Sequence, residues 1–181
     1  MGRTAAAAAS RRIVVGVAGS AASAAAVTWA AREAVLRGAV LHAVHAWQPA
    51  GRGRAPYAPG PYRRGRDDER AAALLRTVVQ EGLGTAPPGL GSSLPGAAEP
   101  LLEVAEGLAV QVLLHSAAGA ELLVLGGSQP AGDAASRPAA NLGPVARACL
   151  RAAPCPVVTV SPQHIRQPGP RMARSLVAAL S

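Results

Sequence analysis

The segment from Glu121 to Ser161 constrains this chain more than any other. An apolar run, ELLVLGGS, leads into a stretch spotted with glycine and proline, a short helical pattern opens at Gly143, and CPVVTVSP follows. A buried strand, a loop, a helix and a second buried strand make one βαβ unit. Such a unit places a ligand at the carboxyl end of its strand, against the N-terminus of the helix.

The same unit repeats upstream. RIVVGV, the run VLHAVHAW from Val40 to Trp47, and LLEVAEG read as three earlier strands. Between the first two, Ser20 or Ser23 can cap a helix whose apolar face is Val27, Ala30, Ala31, Ala34 and Val35, with Gly38 as its stop. Pro49 to Arg66 repeats Gly and Pro and reads as irregular. Asp67, Asp68 and Glu69 then suit the positive end of a second helix, striped by Ala71, Leu74, Leu75 and Val78 and fading by Gly84. A third helix carries Val110, Leu113, Leu114 and Ala117 before Gly119, and a fourth carries Val145, Ala148, Cys149 and Ala152 before Pro154. Residues 1–10 read as a disordered leader, 11–161 as the domain, and 162–181 as a basic, proline-rich tail that turns helical from Arg171.

Five strands alternating with four helices imply a parallel sheet covered on both faces. With the first strand beside the fourth, Gly16 to Ser20 lie alongside Gly126 to Gly143. That crevice is where open α/β sheets place ligands.

Composition narrows the chemistry. A chain of 181 residues suffices for one such domain. Phenylalanine is absent, so the core is built from Val, Leu and closely packed Ala-rich helices. All 18 basic residues are Arg, and without Lys there is no P-loop lysine, Schiff base or Ser-Lys dyad. The net charge of +8 favours anionic partners, yet Arg52, Arg54, Arg63, Arg64 and Arg66 cluster in one Gly/Pro-rich loop. With Tyr57 and Tyr62 that loop suits single-stranded nucleic acid, but nothing else supplies a stacking platform, and a solvated insertion is the expected reading.

Cys149 and Cys155 make no disulfide framework, and no apolar run spans a membrane. Ser10-Arg11-Arg12 imitates a twin-arginine signal, but cleavage after Ile13 to Val17 would remove the first strand, so the expectation is a cytoplasmic protein. His42, His45 and His115 lack companions at metal-ligand spacing, and His45 reads as a satisfied core histidine near the crevice. Ser20 and Ser128 stand at the crevice mouth with no base placed to activate them, so no catalytic residue is expected.

Four stretches in order resemble the universal stress protein family: RIVVGVAGS, the TWAAREAVLRGAVLHAVHAWQP segment from Thr28 to Pro49, AELLVLGGS, and GPVARACLRAAPCPVVTV from Gly143 to Val160. The likeness runs from Arg12 to Ser161. It implies a flavodoxin-like, open parallel five-stranded sheet of order 3-2-1-4-5 with helices on both faces, and a homodimer through the last strand, Cys155 to Val160. In one branch it also implies ATP in the crevice. The matching positions are Val17, Ala18, Ala46, Gly126, Gly127, Gly143 and Pro144.

That branch carries an Asp after the first strand and a G-x-x-G, nine residues, then G-[ST]. Here Ala18 stands for the Asp, Gln129 for the second glycine, thirteen residues precede Gly143, and Pro144 replaces the Ser or Thr. Moving the match to Gly127 puts Pro130 at the second glycine, and using Gly132 breaks the G-x-x-G. Pro144 offers neither an N–H nor a hydroxyl to a phosphate. The sequence therefore leads to a non-catalytic stress-response or regulatory dimer with a degenerate, ATP-poor crevice, no cofactor, and unidentified protein partners. The alternatives are an ATP- or adenylate-binding protein, held by Val17, Ala46, Gly126, Gly127 and Gly143, and a nucleic-acid-binding module using the arginine loop.

Overall fold

A computed structural model describes residues 11–49, 64–84, 99–127 and 142–161. The expected leader and tail, the arginine loop at 50–63 and the loop at 128–141, with Ser128, Gln129, Pro130 and Gly132, lie outside the described residues.

The elements alternate as the apolar patterns require: β1 (Arg12–Gly16), α1 (Ala21–Arg37), β2 (Val40–Trp47), α2 (Arg64–Gly84), β3 (Leu101–Glu106), α3 (Ala109–Ser116), β4 (Leu122–Gly126), α4 (Pro144–Ala152) and β5 (Val157–Val160). The strands form one parallel sheet in the order β3-β2-β1-β4-β5. β1 lies at its centre, with Ile13 opposite Leu41 on one side and Leu122 on the other.

Alternation along β1 divides the core. Ile13 and Val15 face α1 and α2, packing with Ala26, Val27, Ala30 and Leu75. Val14 faces α3 and α4, packing with Val44, Leu113, Leu123 and Cys149. With Ala so abundant the helices come close. A Cβ on Gly82 of α2 would lie 2.7 Å from Val27 Cβ and 2.9 Å from the Ala24 carbonyl oxygen of α1. The buried Thr28 hydroxyl bridges the same contact, 2.6 Å from the Gly82 carbonyl and 3.0 Å from that of Ala24.

Several boundaries differ from the sequence reading. α2 begins at Arg64, inside the stretch expected to be irregular, so Asp67 sits within its first turn. Val35, expected on the apolar face of α1, is exposed in its last turn, just before the left-handed cap at Gly38. On α3 the core contacts come from Val112, Leu113 and Ala117, while Val110 and Leu114 stay half-buried outside either cluster. On α4 they come from Val145, Ala146 and Cys149; Ala148 is half-buried and Ala152 exposed. Both thiols are free, and burial pushes each above its ordinary pKa, so they behave as small hydrophobes rather than thiolates.

The α1–α2 contact yields a stability test. Gly82→Ala places a methyl group against Val27 and the Ala24 backbone, and is expected to cost about 1–3 kcal/mol in urea denaturation. A neutral or stabilising effect would show that the two helices have room to part.

Candidate functional site

β1 ends between strands that run on past it, and the chain leaves β1 for α1 while β4 leads towards α4. This reversal opens a cleft of about 310 Å³ at the carboxyl edge of the sheet. Its size is at the low end for small-molecule sites, about 300 to 1,000 Å³.

Two glycines let the walls approach. A Cβ on Gly126 would meet the Ala22 carbonyl carbon at 2.7 Å, and one on Gly16 would meet Leu125 Cδ2 at 2.7 Å. The floor is therefore backbone and methyl groups, with Val44, Leu113 and Leu125 among its apolar lining.

The turn out of β1 is held by serines. Ser20 caps α1 by accepting from the Ser23 N–H, and Ser23 Oγ accepts the Ala18 N–H at 3.0 Å. The two hydroxyl oxygens lie 3.2 Å apart. These bonds occupy the Ala18 and Ser23 amides, which otherwise would face a ligand. Ala18 itself, exposed at the rim, contributes only a methyl group.

His45 has both properties the sequence suggested. Its ring lines the cleft and is satisfied, with Nδ1 2.8 Å from the Val17 carbonyl. A carbonyl can only accept, so Nδ1 carries the hydrogen, and in the neutral ring Nε2 is the acceptor.

A second polar feature comes from the backbone. The Val44 carbonyl accepts from the Val17 N–H at 2.9 Å, so residues 40, 42, 44 and 46 of β2 turn their peptide groups towards β1. The ladder stops there, because β1 has ended and the Val17 carbonyl faces His45. Among the described residues, the Ala46 N–H and C=O have no partner on the β1 side. A donor and an acceptor thus stand side by side at the cleft edge.

On the opposite wall Gly143 is the extended N-cap of α4, with no side-chain cap, and Pro144 occupies the first helical position. The Gly143 carbonyl accepts from the Arg147 N–H at 3.0 Å, which closes the first helical turn. Val145 and Ala146 keep the free amides of that turn, and Pro144 has none.

Of the seven positions marked in the sequence, Val17, Ala18, Ala46, Gly126, Gly143 and Pro144 share this cleft. Gly127 does not line it: its N–H turns to β5 and donates to the Val160 carbonyl at 2.8 Å. Sequence reasoning missed Ala109 and Leu113, whose helical spacing reads only as core. No charged side chain is among the described lining residues. No group of three or more His, Cys, Asp or Glu that could hold a metal occurs among the described residues, and no described helix is long and apolar enough to cross a membrane.

A family model described as the universal stress protein family matches residues 9–161. Universal stress proteins Rv2623 and MT2698 of Mycobacterium tuberculosis are each 35% identical over 171 residues, covering 91% of this chain and 52% of the relative. The chain thus spans about half the length of the curated relatives it matches. A universal stress protein solved in complex with cAMP superposes with a TM-score of 0.54 at 23% identity, covering 84% of this chain and 97% of that one. Universal stress protein UspA from Lactobacillus plantarum gives a TM-score of 0.52 at 20% identity, covering 83% of this chain and 97% of that one. With a family model matching residues 9–161 and relatives 35% identical across 91% of its length, the chain belongs to the universal stress protein family.

Proposed function

We propose that this universal stress protein is a non-catalytic regulatory protein of the cytoplasm that works through protein contacts, as a dimer joined along β5, and whose crevice has lost its grip on a triphosphate. The observation that carries the reading is Pro144 at the first position of α4. A helix N-terminus holds phosphate through free N–H groups, and this one lacks both the first amide and the neighbouring hydroxyl. Each hydrogen bond to a charged group is worth about 1.5–3 kcal/mol, so losing two weakens binding roughly a hundredfold or more.

Other features support the same reading. Ala18 offers no carboxylate, and no described lining residue offers a cation. Ser23 Oγ is engaged with the Ala18 amide and Ser20, which leaves it a structural rather than nucleophilic part. β5 is the last strand of the sheet, and no described strand pairs with its outer edge. That edge is a ready surface for a second copy.

One observation favours a second reading, an adenylate-binding regulator. The unpaired Ala46 N–H and C=O match the adjacent acceptor and donor on the edge of an adenine ring, and a fold neighbour is described with cAMP. Arg52, Arg54 and Arg63 of the arginine loop lie outside the described residues, Arg64 and Arg66 belong to α2 rather than to a loop, and nothing observed favours the nucleic-acid reading.

Calorimetric titration with ATP separates the two. Millimolar or weaker affinity is expected, and a micromolar constant would overturn the lost-grip reading. Pro144→Ser restores one amide and one hydroxyl, and is expected to tighten ATP roughly a hundredfold over the unchanged chain. No gain would mean that Pro144 is not what weakens the site. The dimer is tested by sedimentation: replacing Val158 with Arg on β5 should give monomers, whereas an unchanged mass would remove β5 from the interface.

A further inference from the structure

At the amino-terminal edge of the sheet, opposite the crevice, four polar side chains from four elements meet. His42 Nε2 of β2 lies 2.9 Å from Glu103 Oε2 of β3. The same oxygen accepts from Ser116 Oγ of α3 at 3.2 Å. Arg12 of β1 donates through a terminal nitrogen to the Ala118 carbonyl, just past α3, at 2.6 Å. Two buried atoms of this cluster, Arg12 Nε and His42 Nδ1, have no hydrogen-bond partner among the described residues.

These contacts tie down one end of a weak helix. α3 has eight residues, and its N-cap, Leu108, makes no side-chain cap bond. A helix of that length is not stable alone and depends on what it packs against. At its carboxyl end Glu103 accepts from Ser116 and Arg12 donates to the Ala118 carbonyl, two side-chain bonds from the sheet among the described residues. At its other end Ala109 and Leu113 line the crevice.

We propose that this cluster is a proton-sensitive latch: protonation of His42 frees the carboxyl end of α3 and slackens the crevice wall that the same helix forms. In the neutral ring, Nε2–H donates to Glu103 and Nδ1 keeps a lone pair. A proton on Nδ1 makes a buried donor with no acceptor, on the sheet face that also carries the Arg12 guanidinium. The charged groups facing His42 are Arg12 from β1 and Glu103 from β3; α3 adds the neutral Ser116 and the exposed His115.

Glu103 opposes the effect, since its carboxylate favours the imidazolium, but its side chain is 37% exposed against 12% for His42. Solvent screens the attraction more than it relieves the burial. Accordingly burial holds His42 below its ordinary value near 6.5, with Glu103 raising it in part and Arg12 lowering it further. The sign follows: with the latch open, His42 regains its ordinary pKa and binds the proton more readily. The closed state is therefore fully favoured above pH ~6.5 and loses ground as the pH falls from there to the pKa of the closed state.

Hydrogen exchange of the full chain tests this without any ligand, read by mass spectrometry and corrected for intrinsic rates. Between about pH 7.5 and pH 5.5, protection across residues 109–118 is expected to fall up to about tenfold more than across α1, the limit for one proton over one pH unit. His42→Gln, neutral at both values, is expected to remove that difference. Parallel loss in α3 and α1, or the same pH response in H42Q, would overturn the latch. If H42Q does not fold, the comparison of α3 with α1 in the unchanged chain decides alone.

Discussion

Everything in this fold hangs on β1 being central and short. Beyond the half-buried Arg12 its side chains are fully buried on both faces, Ile13 and Val15 under one pair of helices and Val14 under the other, so β1 anchors both halves of the core. Because its ladder with β2 ends at Gly16 and Val44, the neighbouring strands continue without it. The gap left there is the crevice, and the unpaired peptide of Ala46 is its direct product. Covalent chain reversal and hydrogen-bond accounting, rather than any special side chain, make the cleft.

That origin explains how a site can lose its chemistry and keep its shape. The walls depend on Gly16 and Gly126, where a Cβ would strike the Leu125 side chain and the Ala22 backbone, and on the serines that lock the turn into α1. None of these needs a phosphate. Pro144 is well suited to the first position of α4, so the helix loses nothing by the substitution that removes the amide. Folding and anion binding are thus separable in this molecule, and the proposed loss touches only the second.

Much of this was legible in the sequence because strands buried on both faces leave unbroken apolar runs: LLVLG of β4 has Leu122 to Leu125 all buried. The helix faces were harder. In Ala-rich helices nearly every spacing offers an apolar stripe, so Ala152 fitted the pattern yet is exposed, while Ala146 lies in the core. Polar residues hid the start of α2, since Arg64 to Asp68 continue a Gly/Pro-rich stretch without any apolar signal. Six cleft positions followed from family motifs, but Gly127 turns away because strand alternation points its amide at β5. The Ala46 pair could not be read at all, for it depends on where β1 stops. Nor could the meeting of Arg12, His42, Glu103 and Ser116, which only the strand order and register create.

The two ends of the domain are joined by α3, which borders the crevice at Ala109 and Leu113 and the polar cluster at Ser116. The crevice keeps its form, and what we propose it has lost is its hold on a triphosphate. The most direct measurement is the nucleotide content of protein purified without added ligand, released by denaturation and separated by chromatography. The account predicts far less than one ATP per chain. Near-stoichiometric ATP carried through purification would contradict it.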